Sequence, residues 1–122
     1  MKIREVLTRI FLNSSEIDRQ IIFYENLCDK KCKLRFNYDQ QGLELAVVGS
    51  FLLISGTDEH LEPFKETTVT CLVDSLDDFK VFLLKEGVTI LAEPKMVPTG
   101  RNMRARHRDG LVVEYVEYTT EA

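Results

Sequence analysis

The stretch VTCLVDSLDDFKVFLLKEGV, residues 69–88, joins a short apolar run to an amphipathic segment. Its first five residues are apolar or β-branched, which is typical of a strand. Ser75, followed three residues later by Asp78, resembles a helix-capping box, and Gly87 is a residue type that ends helices. The sequence therefore predicts a strand over residues 67–73 and a helix over residues 74–87.

The same succession occurs near the beginning, in LTRIFLNSSEIDRQIIFYENL, residues 7–27. Here Ser15 with Asp18 forms the second capping-box candidate, and Asn13 and Ser14 are alternative caps. Each strand–helix pair is followed by three segments typical of strands. They are residues 33–39, 43–49 and 51–56, and then residues 88–94, 103–108 and 111–118.

The two halves of the chain repeat at a constant spacing. Leu12 before the first helix and Val73 before the second are 61 positions apart, and so are Ser50 and Leu111 at the start of the last strands. An equal spacing at both ends indicates a duplicated module. The segment between the modules, TDEHLEPFKE, is polar and lacks periodicity, so we expect a linker there.

Composition excludes several classes of protein. The chain has 122 residues, 44% hydrophobic and 30% charged, which suits one soluble domain. It has no apolar run long enough to cross a bilayer, and its formal net charge of −4 argues against a nucleic-acid-binding surface. The first residues predict a strand rather than a signal peptide.

The cysteine count fits a reducing compartment, and we expect a cytoplasmic protein. Cys28, Cys32 and Cys71 are too few for a disulfide framework. Cys28 and Cys32 are four residues apart, but a zinc site needs two further soft ligands, and His60 and His107 are the chain's two histidines. The sequence predicts free thiols.

Two modules of this kind resemble the vicinal oxygen chelate superfamily, which includes lactoylglutathione lyases, extradiol dioxygenases and bleomycin-binding proteins. The resemblance is carried by the two stretches quoted above and by PTGRNMRARHRDGLVVEY, residues 98–115, which is similar to the ending P-x-G-R…R-D-P-D-G-x-x-x-E of that superfamily. It implies an α+β fold in which two βαβββ modules form a half-barrel cleft, with the helices on the convex side. The modules are expected over residues 3–57 and 67–119, with the linker over 58–66. By the same analogy we expect a homodimer.

Alternation along the strands then predicts which residues line the cleft. In the first strand, Thr8, Ile10 and Leu12 are expected to face the helix, and Leu7, Arg9 and Phe11 the cleft. In the fifth strand, Val69, Cys71 and Val73 are expected to face the helix. The cleft side of that strand holds Thr68, Thr70 and Leu72.

Metal-dependent members of the superfamily place one ligand on the first and last strand of each module. At the 61-residue spacing, the matching positions are Leu7, Leu53, Thr68 and Glu114. Leucine has no donor atom and a threonine hydroxyl is a poor one, so the sequence predicts no metal and no cofactor. Three other groups reach the cleft only if this register is wrong: Glu5, Glu44 and His107.

Two interpretations of the polar strand residues stay open. Glu114 is either a solvent-exposed strand residue or a cleft carboxylate that bonds a ligand or Arg9. In the cleft it would also form an acid–base pair with His107. Arg104, Arg106 and Arg108 alternate along the predicted strand, so they share one of its faces. They either bind an anion there or form a solvent-exposed face whose charge is neutralised by nearby glutamates.

The sequence thus predicts a metal-free protein that binds a partly apolar small molecule, with an anionic group where arginines contact it. The alternative is a metal-dependent lyase, isomerase or dioxygenase of the same superfamily. We expect neither nucleic acid nor a membrane as partner. The predicted ligand-binding residues are Leu7, Arg9, Phe11, Phe51, Leu53, Thr68, Thr70, Arg104, Arg106 and Glu114.

Overall fold

The structure is a computed structural model and describes residues 1–118. It has eight strands and three α-helices within those residues. The strands are β1 (Ile3–Asn13), β2 (Leu34–Tyr38), β3 (Leu43–Val48), β4 (Phe51–Gly56), β5 (Val69–Val73), β6 (Thr89–Val97), β7 (Gly100–Arg106) and β8 (Val112–Tyr118). The helices are α1 (Ile17–Cys28), α2 (Asp58–Leu61) and α3 (Leu76–Lys85). They are distributed over two compact units, the first formed by residues 8–66 and the second by residues 1–7 with the chain from Thr67 onward.

In the first unit the strand order is β2-β3-β4-β1, with β1 parallel to β4 and the other pairs antiparallel. The Asn13 side chain accepts a hydrogen bond from the backbone N–H of Ser15 at 3.0 Å, so Asn13 is the cap among the three candidates. Helix α1 follows and packs one apolar face on the sheet. The core comprises Ile17, Ile21, Ala46, Val48 and Leu53.

The second unit repeats this arrangement with the order β5-β8-β7-β6, in which β5 is parallel to β8. The Ser75 hydroxyl accepts from the backbone N–H of Asp78 at 3.3 Å, which confirms the predicted cap. The start of β1 is tied to this unit, since Asp74 and Lys2 exchange two hydrogen bonds. Helix α3 covers a core that comprises Cys71, Val73, Leu76, Phe79, Leu83, Met103, Ala105, Val113 and Tyr115.

The segment expected to be an irregular linker is largely helical. Helix α2 is followed by a 3-10 turn over Glu62–Phe64, and the Thr57 hydroxyl caps α2 by accepting from the backbone N–H of His60. Leu61 is 3% exposed, so the helical turn is held by burial of that side chain.

The predicted fold class is confirmed: the chain is α+β and contains two βαβββ modules. The predicted end of the second module, residue 119, lies outside the described residues. No helix of the described chain combines the length and apolar character that a membrane crossing requires.

Candidate functional site

The structure corrects the predicted orientation of β4. Leu53 belongs to the core beneath α1, and Phe51 packs against it while its ring contacts that of Tyr24 on α1, 4.8 Å between centroids. Leu53 and Phe51 therefore face the helix, and by alternation Leu52 and Ile54 occupy the opposite face. The predicted placement of Leu53 and Phe51 on the cleft side was wrong.

The error arises from a one-residue difference between the modules. Thr8 lies opposite Phe51 in the first unit, and Val69 lies opposite Val113 in the second. The first strands thus match at 61 positions, whereas the last strands match at 62, and a shift of one residue moves a side chain to the other face. The counterpart of Glu114 is Leu52, not Leu53.

Glu114 lies at the centre of a polar cluster within the second unit, which we call the Glu114 cluster: Thr70, Asn102, Arg104 and Glu114. Asn102 Nδ2 donates to one carboxylate oxygen of Glu114 at 2.8 Å, and Thr70 Oγ1 donates to the other at 3.4 Å. Strand pairing sets Thr70 and Arg104 on either side of Glu114. Because Val113 and Tyr115 face α3, this cluster lies on the opposite face of the sheet.

Accessibility differs along this face. Thr70, Leu72, Val112 and Val116 are buried, whereas Glu114, Asn102, Arg104 and Tyr118 are half-buried. Within the Glu114 cluster, Glu114, Asn102 and Arg104 are therefore partly accessible, whereas Thr70 is not. Burial raises the pKa of Tyr118 to about 12, and the negative charges of Glu5 and Glu114 act in the same direction. Tyr118 thus holds its proton beside an acidic neighbourhood.

The arginine row is shorter than predicted. Arg104 and Arg106 share the Glu114 face of β7, whereas Arg108 lies in the turn after the strand. Arg106 is exposed and Arg104 half-buried. On the other face of β7, Arg101 bonds Asp77 of α3 at 3.3 Å. Asn102 and Tyr118 were missed from the sequence, although Asn102 precedes Arg104 by two positions and alternation therefore places both on the same face of β7.

Two groups considered as substitutes for metal ligands face the helices instead. His107 Nε2 lies 2.6 Å from the Tyr115 hydroxyl on the α3 side, so it does not form the acid–base pair with Glu114. Burial, followed by the charge of Cys71, raises the pKa of Tyr115 to about 12. Glu44 is held by Arg35, which also bonds Asp18 of α1.

The other predicted binding residues fall into two groups. Leu7 is fully buried, Arg9 is 8% exposed and Phe11 is half-buried, and their neighbours Ile10 and Leu12 pack on the α1 core as expected from alternation. Thr68 is exposed and precedes β5. Ligand binding by these residues stays a prediction.

The donor set does not fit a divalent metal ion. With the register of the structure, the four positions implied by the superfamily resemblance are Leu7, Leu52, Thr68 and Glu114. A single carboxylate and a neutral hydroxyl cannot replace the water shell of Zn²⁺, Ni²⁺ or Fe²⁺. Within residues 1–118, no group of three or more histidine, cysteine, aspartate or glutamate side chains is placed to hold a metal ion.

Comparison with known proteins identifies solved structures that have the same fold as this chain. No family model and no functionally curated protein matches the chain. Methylmalonyl-CoA epimerase from Mycobacterium tuberculosis has a TM-score of 0.72 at 18% identity, over 97% of this chain and 90% of that chain. A Streptomyces coelicolor methylmalonyl-CoA epimerase in complex with 2-nitronate-propionyl-CoA has a TM-score of 0.64 at 17% identity, over 98% of this chain and 100% of that chain. These neighbours have the fold of the vicinal oxygen chelate superfamily, and at such identities they establish the fold alone.

A much nearer neighbour is an uncharacterized protein from Methanosarcina mazei. Its crystal structure has a TM-score of 0.91 at 45% identity, and the match covers 100% of this chain and 98% of that chain. Identity at this level over the full length of both chains reflects common descent. The chain therefore belongs to the same protein family as the Methanosarcina mazei protein.

Proposed function

We propose that the chain is a small-molecule-binding protein of the vicinal oxygen chelate type that holds its ligand at the Glu114 cluster without a metal ion. One observation carries the proposal. The half-buried carboxylate of Glu114 lies on the face away from α3 and accepts hydrogen bonds from the neutral side chains of Thr70 and Asn102. A carboxylate has about four acceptor positions, and in this proposal a donor group of the ligand joins or replaces the present partners of Glu114.

The neighbouring side chains define the ligand chemistry. Arg106 is exposed on the same face of β7 and offers a guanidinium group for a carboxylate or phosphate, which arginine binds through paired N–H donors. Leu72, Val112 and Val116 are buried on the same face, so the surroundings of the polar residues are apolar. A partly apolar molecule with one anionic group and one hydrogen-bond donor matches these three features.

A thermal-shift screen tests this proposal, because a ligand that binds the folded state raises its unfolding temperature. The screen contains carboxylate- and phosphate-bearing molecules with an apolar part, in the presence of a chelator. Arg106→Met removes an exposed arginine of the binding face, and Arg101→Met is the matched control on the opposite face of β7. We expect a hit whose shift disappears in Arg106→Met and Glu114→Gln and persists in Arg101→Met. A screen without hits, or shifts that are equal in all variants, contradicts the proposal.

The second candidate is a metal-dependent lyase, isomerase or dioxygenase, and it is favoured by the structural similarity to methylmalonyl-CoA epimerases. The solved complex contains 2-nitronate-propionyl-CoA, an acyl-CoA derivative. Propionyl-CoA therefore belongs in the screen. Turnover of an acyl-CoA that depends on an added divalent ion would favour this candidate. A cytoplasmic location and a homodimer stay predictions.

A further inference from the structure

The end of α1 brings two cysteines into one small region. The helix ends at Cys28, and Asp29 adopts a left-handed conformation, φ 53°, that turns the chain back. The backbone N–H of Lys30 donates to Glu25 O at 3.1 Å, and that of Cys32 donates to the Glu25 carboxylate at 2.7 Å. Glu25 and Cys28 are neighbours on one helix face, so the returning chain carries Cys32 towards Cys28.

The two cysteines lie near the paired ends of β2 and β3. Cys28 Sγ is 3.0 Å from the position that a Cβ on Gly49 would occupy. Cys32 packs against the core cluster that contains Val48, and its thiol donates to Leu34 O at 3.3 Å. The next residue, Lys33, donates its backbone N–H to Val47 O at 3.0 Å. Cys28 thus lies beside Gly49 at the end of β3, and the residue after Cys32 pairs with Val47 near the same end.

We propose that Cys28 and Cys32 are a redox-active pair that forms an intramolecular disulfide when it meets a small-molecule disulfide. Disulfide formation requires the two Cα atoms within about 7 Å, which the turn at Asp29 and the anchor at Glu25 favour. Both cysteines are half-buried and so within reach of a small reagent, whereas Cys71 is 7% exposed inside the α3 core. Burial also raises the pKa of Cys71, which disfavours its reactive thiolate.

The chemistry proceeds by two exchanges with glutathione disulfide as oxidant. One protein thiolate attacks a sulfur of glutathione disulfide, forms a mixed disulfide and releases one glutathione thiolate, which takes up a proton. The second protein thiolate attacks the protein sulfur of that mixed disulfide and releases the second glutathione. The two cysteines lose two protons and two electrons in total, and one glutathione disulfide takes them up to become two glutathione thiols.

Intact-mass spectrometry of the whole chain tests the pair. After incubation with glutathione disulfide we expect a loss of two hydrogen atoms, reversed by dithiothreitol, with the cross-link between Cys28 and Cys32 in the peptide map. Cys71→Ser should behave like the unmodified chain, and Cys28→Ser and Cys32→Ser should each retain one glutathione adduct. Two stable glutathione adducts on the unmodified chain, a cross-link through Cys71, or no change of mass would overturn the proposal. The peptide map of the unmodified chain decides the matter even where a serine variant does not fold.

Discussion

Truncation of Leu53 tests the register on which the site is built. Leu53 is fully buried among Ile17, Ile21, Ala46 and Val48 beneath α1, so Leu53→Ala removes apolar contacts and leaves a cavity in a packed core. Substitutions of this kind cost about 2 to 5 kcal/mol, and we expect about 3 kcal/mol. For a chain of this length the unfolding entropy is roughly 0.26 kcal/mol per degree, so the unfolding temperature should fall by about 12 °C.

The assay is thermal unfolding followed by circular dichroism, supported by urea titration for the free energy itself. Leu27→Ala is the matched control, because Leu27 lies on α1 with 60% of its side chain exposed, and we expect a change below about 0.5 kcal/mol. If Leu53 lined an open cleft instead, its truncation would cost less than about 1 kcal/mol. A loss below about 4 °C in Leu53→Ala would refute the register, and Leu52 would no longer be the counterpart of Glu114.

Three further outcomes are expected from contacts of the second unit. A double-mutant cycle on Asn102→Ala and Glu114→Ala should give a coupling of about 1 kcal/mol, since the 2.8 Å bond reaches a half-buried charge. A coupling of zero contradicts the bond. Tyr115 and Tyr118 keep their protons up to about pH 12 in the folded state, whereas an unfolded phenol loses its proton near pH 10. The free energy of unfolding should therefore be fully retained below about pH 10 and fall as the pH rises to about 12. A flat pH profile in absorbance-monitored unfolding contradicts both pKa values. Ser75→Ala should lower stability by about 1 kcal/mol through loss of the α3 cap, and an unchanged urea midpoint argues against that cap.

The sequence predicted the order of the elements because each strand–helix pair carries its own local signals. Ser75 and Gly87 mark the ends of the second helix, and Asn13 was among the three candidate caps of the first. Alternation also assigned Val69, Cys71 and Val73 to the helix side, as the structure confirms for the core under α3. Such signals depend on residues that are close in the sequence, so they can be recognised before the tertiary structure is known.

The orientation of β4 was not predictable in the same way. Leu52, Leu53 and Ile54 are consecutive apolar residues and all are buried, so no alternation distinguishes the two faces. In β8 the charge of Glu114 interrupts the apolar run and marks one face. Because other parts of the two modules match at a spacing of 61 residues, the spacing of 62 between β4 and β8 was not recognised. An error of one position assigns each side chain of β4 to the wrong face of the sheet.

Side-chain partners from other strands were also beyond the sequence. The bond from Asn102 to Glu114 depends on the β7–β8 register, in which Arg104 rather than Asn102 lies directly opposite Glu114. The contact between His107 and Tyr115 depends on the turn that returns the chain at Gly110. Pairings of this kind follow from tertiary geometry, so the sequence predicted Thr70, Arg104 and Glu114 but neither Asn102 nor the arrangement of the cluster.

Metal content tests the account most directly, because the proposed site relies on Glu114 alone where a chelating site needs several donors. The measurement is elemental analysis of the full chain, purified without chelator or affinity metal and then equilibrated with Zn²⁺, Ni²⁺ and Fe²⁺ before gel filtration. We predict far less than one ion per chain, with Glu114→Gln unchanged from the unmodified chain. A nearly stoichiometric ion that disappears in Glu114→Gln would contradict the metal-free site.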